Sequence, residues 1–129
     1  MYRLCMHRGF TARHFLVGGD WGSENFPHPH RYRLEWEISA AELDRHGYLA
    51  DLVALETELS AVVDLYRDAM LNDLPEFAGL NPSLERFAKV IWERLTGALR
   101  SDADSSVRLW ENEQAWAGYD GPRPARPGR

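Results

Sequence analysis

One cysteine and one lysine, Cys5 and Lys89, are all that this 129-residue chain contains of either type. A single cysteine excludes an intrachain disulfide framework and fits a reducing compartment. No run approaches the roughly 18 apolar residues of a membrane span, and no charged-then-apolar signal segment opens the sequence, so the expected location is cytoplasmic. Excess positive charge is missing too. The formal net charge is −5, which argues against a general nucleic-acid or anionic-membrane surface. There is no internal repeat. What remains, 44% hydrophobic and 27% charged residues, is ordinary for one folded domain with a modest core.

Period-two and helical spacings order the chain. Residues 2–17 read as a first strand, with a possible break near Gly9; Phe10, Ala12, His14 and Leu16 share one face. Residues 18–27 hold turn formers and form a loop. In the next strand His28, His30, Tyr32, Leu34, Trp36 and Ile38 alternate with Arg31, Arg33, Glu35 and Glu37. A short extended piece, Tyr48–Ala50, leads to Asp51 as an N-cap. Leu52, Leu55, Leu59, Val62, Val63 and Tyr66 then mark a helix over roughly 52–70. Asn81-Pro82 reads as cap and first position of a second helix ending near Arg100. Strands follow over 106–111 and about 113–119. The Pro- and Arg-rich residues 121–129 are expected to be disordered, leaving residues 1–120 as the domain. The order strand, strand, helix, helix, strand, strand specifies an α+β fold: a four-stranded antiparallel sheet with both helices on one face. Its sheet edges invite association.

Chemistry concentrates in three histidines. On a strand, side chains two apart point the same way, so His28 and His30 present two imidazoles to the apolar face. His14 can arrive from the neighbouring strand. Three neutral nitrogens with an open fourth position is how proteins hold catalytic zinc. A bare H-x-H is weak on its own, and the plain alternative is three separate polar residues near a loop mouth. His7 and His46 read as ordinary surface residues.

The flanking residues decide between these readings. Phe10-Thr11-Ala12-Arg13-His14 and His28-Pro29-His30-Arg31-Tyr32 resemble the F-x-A-x-H and H-G-H-N-Y signatures of the 6-pyruvoyltetrahydropterin synthase / 6-carboxytetrahydropterin synthase family. Further segments keep the family's order over roughly residues 8–119: Gly47–Asp51, Leu71-Asn72-Asp73, Asn81–Glu85, and Trp110-Glu111 with Tyr119. The resemblance implies the tunnelling fold, zinc on His14, His28 and His30, and a pterin substrate. It also implies homo-oligomers, trimers that stack as hexamers, with active sites at subunit interfaces. Glu111 matches the glutamate that clamps the pterin ring, a planar bidentate match to the 2-amino and N3 positions. Ser83 is a lesser substrate-binding candidate, since a hydroxyl at a helix start usually caps its own backbone.

The sequence departs from the family at three points. Glu24 stands where members making pyruvoyl or carboxy products carry a basic cysteine, and Cys5 lies too far upstream to replace it. A variant branch has glutamate here and is associated with converting 7,8-dihydroneopterin triphosphate to 6-hydroxymethyl-dihydropterin. A partly desolvated carboxylate reaches useful basicity near neutral pH, which makes Glu24 a catalytic candidate. Arg67-Asp68 replaces an Asp-His pair, making Asp68 a second candidate proton acceptor. Pro29 replaces a glycine and keeps strand parity. For a triphosphate, Arg13, Arg31 and Lys89 are the basic candidates. The expected function is thus a zinc-dependent lyase acting on a dihydropterin side chain; the alternative is a zinc- and pterin-binding homologue without turnover.

Overall fold

The computed structural model describes residues 1–99 and 102–121. Strand β1 (Tyr2–His14) pairs antiparallel with β2 (His28–Ala40), β2 with β3 (Asp104–Trp110), and β3 with β4 (Trp116–Asp120), so the sheet order follows the chain. Helices α1 (Leu52–Tyr66) and α2 (Leu84–Thr96) cross the same face. The tunnelling-fold expectation of a four-stranded antiparallel sheet under two helices is met.

Alternation explains the layering. Phe10, Ala12, Tyr32, Leu34, Trp36, Ile38, Val107 and Leu109 all point to the helices and are fully buried. Phe87 of α2 sits at the centre, with ring centroids 5.2 Å from Tyr32, 5.0 Å from Tyr66, 5.7 Å from Phe77 and 6.0 Å from Phe10, each edge-on. Asp51 caps α1 by accepting from the Val53 and Ala54 amides at 3.1 and 3.3 Å.

Several boundaries differ from the sequence reading, each for a tertiary reason. β1 runs unbroken through Gly9, which pairs with Arg33, and stops at His14 because β2 begins opposite, at His28. Helix α1 ends at Tyr66, not near residue 70. Asp68 takes a left-handed backbone (φ 60°), turning its N–H to the Thr11 carbonyl at 2.6 Å, and residues 69–70 join the outer edge of β1. The cap of α2 is Ser83, whose hydroxyl accepts from the Arg86 amide at 3.1 Å; Asn81 is engaged elsewhere. Tyr48–Ala50 is bent rather than extended. Arg100 and residues 122–129, where a helix end and a tail were expected, lie outside the described residues.

A three-membered network ties α1 to α2. The Tyr66 hydroxyl donates to Glu76 at 2.7 Å, and Arg94 donates to both the Tyr66 oxygen and Glu76, each at 2.7 Å. Burial raises the Glu76 carboxyl, but hydrogen bonds from Arg94 and Tyr66 outweigh it and hold it below the usual carboxylate range. A depressed carboxyl stabilises the fold above its ordinary pKa, and that stabilisation is lost as pH falls through the folded value. Arg94 is 43% exposed, so screening keeps the contribution small. Arg94→Met is expected to cost about 1 kcal/mol near neutral pH and progressively less in acid, measured by urea unfolding at several pH values.

Candidate functional site

The site is built where β1 and β2 end together. His14 lies directly opposite His28, and His30 is opposite Ala12, so all three rings stand on the core side of one strand pair. Ring centroids are 4.6, 4.8 and 4.9 Å apart, and one nitrogen from each ring falls within 4.8 Å of the others. His14 is only 6% exposed; His28 and His30 are half-buried.

Hydrogen bonds set the tautomers of two rings. The Pro82 carbonyl lies 3.2 Å from His14 Nδ1 and the Phe26 carbonyl 2.8 Å from His28 Nδ1. A carbonyl only accepts, so both Nδ1 atoms carry the proton and both Nε2 lone pairs are free. This is the arrangement that orients metal-binding histidines. His28 Nε2 is enclosed yet has no hydrogen-bond partner among the described residues. An orphaned, buried acceptor beside two other imidazoles is costly unless a cation completes it. Burial, helped by His30 and His28, pulls the His14 pKa down to about 4, so this ring is neutral, as a ligand must be. The residues present fit a divalent metal with nitrogen preference.

The other expected residues are distributed around this cluster. Gly22, at φ 63°, opens a single 3-10 turn, Gly22–Asn25, that carries Glu24. Glu24 is exposed, not partly buried as its proposed basicity required, but its charge acts on His14. Glu111 follows the last residue of β3. Because β3 pairs with β2 only from Ser39 to Arg33, residues His28–Tyr32 run on without a β3 partner, and Glu111 sits at that corner. It is half-buried, close enough to Tyr32 to add to the upward push that burial gives the Tyr32 hydroxyl. His30 and Tyr32 rings are 5.9 Å apart, linking the glutamate's corner to the histidines. A hollow of about 980 Å³ is lined by His7, Arg31, Arg33, Trp110 and Glu111; its exposed strand residues alternate with the buried ones, so it opens on the sheet face turned away from the helices, and none of the three histidines lines it. Another hollow, of about 650 Å³ along α1 between Leu52 and Asp64, lies away from these groups.

Asp68 is not brought to the cluster of its own chain. It is exposed on the outer edge of β1, the side that β2 does not occupy. Ser83 is close, since Pro82 holds His14, but its oxygen serves as the α2 cap. Of the basic candidates, Arg31 joins the hollow with Arg33. Lys89 instead faces Glu93 and the Tyr119 ring, and Arg13 is exposed. The Pro82 carbonyl was invisible in the sequence, because a backbone acceptor leaves no residue-type signal.

Residues 3–122 match the sequence profile of the family described as 6-pyruvoyl tetrahydropterin synthase. The chain belongs to that family. In kind, it is a lyase of the tetrahydropterin synthase type. Among solved structures, 6-pyruvoyl tetrahydropterin synthase from Caenorhabditis elegans is similar, with 25% identity, a TM-score of 0.78, and coverage of 95% of this chain and 98% of that one. The Plasmodium vivax 6-pyruvoyltetrahydropterin synthase, with a catalytic glutamate changed to alanine, shares the fold at 12% identity and TM-score 0.75, covering 92% and 96%. An uncharacterized protein from Wolinella succinogenes does so at 15% identity and TM-score 0.72, covering 94% and 98%. No curated protein matches the sequence significantly. No helix among the described residues is long and apolar enough to cross a membrane.

Proposed function

We propose that the chain is a zinc-dependent lyase acting on the side chain of 7,8-dihydroneopterin triphosphate or a close relative. The observation that carries this reading is the His28 Nε2 atom, enclosed and partnerless between two imidazoles, in a member of this family. His14 and His28 would hold the zinc through their free Nε2 atoms, with His30 as the third ligand. Zinc would supply Lewis acidity toward the side-chain oxygens of the substrate.

The chain's own groups do the rest. Glu111 accepts two parallel hydrogen bonds from the pterin 2-amino and N3 positions, fixing the ring at the corner beside Tyr32. Glu24 takes the proton of the hydroxyl on the second side-chain carbon. The bond between the first and second carbons then breaks, its electron pair passing to the first carbon and into the ring's C=N system. The second carbon leaves as an aldehyde, and the first regains a proton to give 6-hydroxymethyl-dihydropterin. The 6-carboxytetrahydropterin outcome starts from the same substrate and also needs a side-chain proton removed. A glutamate is named as catalytic in the P. vivax relative, which supports a carboxylate in this role.

Assembly completes the scheme. Among the described residues, the outer edges of β1 over Tyr2–Phe10 and of β4 have no strand partner, so copies joining edge to edge as a trimer or hexamer would cover them. Asp68, on that β1 edge, would then serve the site of a neighbouring copy as a second proton acceptor. Ser83 is left with a hydroxyl proton to offer the substrate. A reducing, cytoplasmic setting suits the single thiol.

The test is to load the protein with zinc, add 7,8-dihydroneopterin triphosphate, and follow products by mass. A pterin product with a shortened side chain is expected. Pterin binding without turnover would overturn the enzyme reading in favour of a binding protein.

A further inference from the structure

The chain leaving His14 stays strand-like after β2 has ended. Odd-numbered residues of β1 face its outer edge, where Thr11 accepts from the Asp68 amide and Arg13 donates to the Ala69 carbonyl. Beyond these, backbone partners give way to side chains. Asn72 accepts from the Phe15 amide and donates to the Phe15 carbonyl, both at 2.9 Å. Asn81 accepts from the Val17 amide at 2.7 Å and donates to the Val17 carbonyl at 3.2 Å. A carboxamide presents one acceptor and one donor much as a peptide group does, so each asparagine replaces one residue of a missing partner strand. On the opposite edge, Leu16 donates its amide to the Glu24 carbonyl at 2.8 Å, and its own carbonyl accepts from Asn25 at 3.2 Å.

We propose that Asn72 and Asn81 are positioning residues for Glu24. The two carboxamide rungs keep residues 15–17 extended past the histidine cluster, and Leu16, held straight between them, fixes the backbone of Glu24 relative to His14. This rests on the reading of Glu24 as the base. Small displacements of a reacting group carry large rate penalties, so backbone bonds of this kind control turnover without touching substrate. The demand is for a carboxamide, not simply for polarity. In an Asn81→Asp variant the new side chain would still accept from the Val17 amide but would set a carboxylate oxygen against the Val17 carbonyl.

Two routes from Asn81 to the site can be separated. Its neighbour Pro82 holds His14 Nδ1, so an effect running through that carbonyl would weaken metal binding. An effect running through Val17 and Leu16 would leave the metal alone and lower the rate. The experiment compares zinc-loaded wild type, Asn81→Asp, Glu24→Gln and the double variant in turnover of 7,8-dihydroneopterin triphosphate. It adds zinc affinity by competition and amide hydrogen exchange at Phe15, Leu16 and Val17. Asn81→Asp is expected to lower kcat about tenfold or more, with KM and zinc affinity within about twofold of wild type and faster exchange at the three amides. In the Glu24→Gln background it should cause no further loss, since two residues acting through one step are not additive.

Equal losses in both backgrounds would overturn the proposal, as would weakened zinc binding or an unchanged kcat with the amides exchanging freely. Asn72→Asp, at a half-buried rung, should repeat the pattern; Asn81, whose bonds lie at the surface, decides the matter if that variant fails to fold. A wild-type protein without turnover would instead overturn Glu24 as the base, which is a failure of the functional reading and is distinguishable from the others.

Discussion

Replacing His28 with alanine is expected to remove most of the stabilisation that zinc gives the wild-type protein. A ligand present at about a thousand times its Kd stabilises the folded state by about 4 kcal/mol. For a chain of this length that corresponds to a rise in Tm on the order of 10–20 °C over the chelated protein. Removing an outer partner of a metal histidine costs 10–100-fold in affinity, so removing the ligand itself should cost more than about 100-fold and cut the stabilisation at the same free zinc to about 1.4 kcal/mol or less, a third of the wild-type shift. The metal-free variant should behave differently. His28 Nε2 is enclosed without a partner, so its loss relieves an unsatisfied group, while the Phe26 carbonyl loses its donor. The two effects oppose each other, leaving the chelated Tm nearly unchanged. Thermal melts with and without chelator measure both quantities. A zinc-induced shift undiminished in His28→Ala would remove this residue from the metal centre.

That pair of expectations was half legible in the sequence. Strand parity alone sets His28 and His30 on the apolar face, because period two is a local property of the chain. Bringing His14 to them needed the β1–β2 register, His14 opposite His28, which periodicity does not state and which the family resemblance supplied. The nearness of Glu111 to Tyr32 likewise depends on β3 ending opposite Arg33, a fact of sheet order. Where the reading missed, a long-range bond had displaced a local preference. Asn81-Pro82 has the look of a helix start, yet Asn81 pairs with Val17, 64 residues upstream, and Ser83 takes the cap. No glycine or proline marks the end of α1, because Asp68 is turned left-handed by the Thr11 carbonyl rather than by its own side chain. Glu24 shows the limit most clearly. Its turn was visible in the glycines around it, while its exposure was not, since burial depends on what packs above the loop.

Exposure sharpens the last expectation, for Glu24→Gln. In the single chain this carboxylate is open to solvent, so any desolvation that raises its basicity has to come from bound substrate or a neighbouring subunit. Glutamine keeps the size of the side chain and cannot take a proton. If Glu24 is the base, kcat should fall by about 10²- to 10⁴-fold, the usual range for a positioned general base. KM should change little, because the ring is held by Glu111. Zinc should be retained. The Glu24 charge raises the His14 pKa slightly against a far larger downward push from burial, so its removal lowers that pKa further and keeps the ring neutral. A loss in kcat with metal content and pterin affinity intact therefore isolates proton transfer, and steady-state kinetics beside metal analysis of the same sample measure it. An unchanged kcat would move the base elsewhere. Asp68, presented on the β1 edge toward a neighbouring copy, would be the next carboxylate to change, and mixed oligomers of Asp68→Asn and His28→Ala chains would then show whether it acts across the interface.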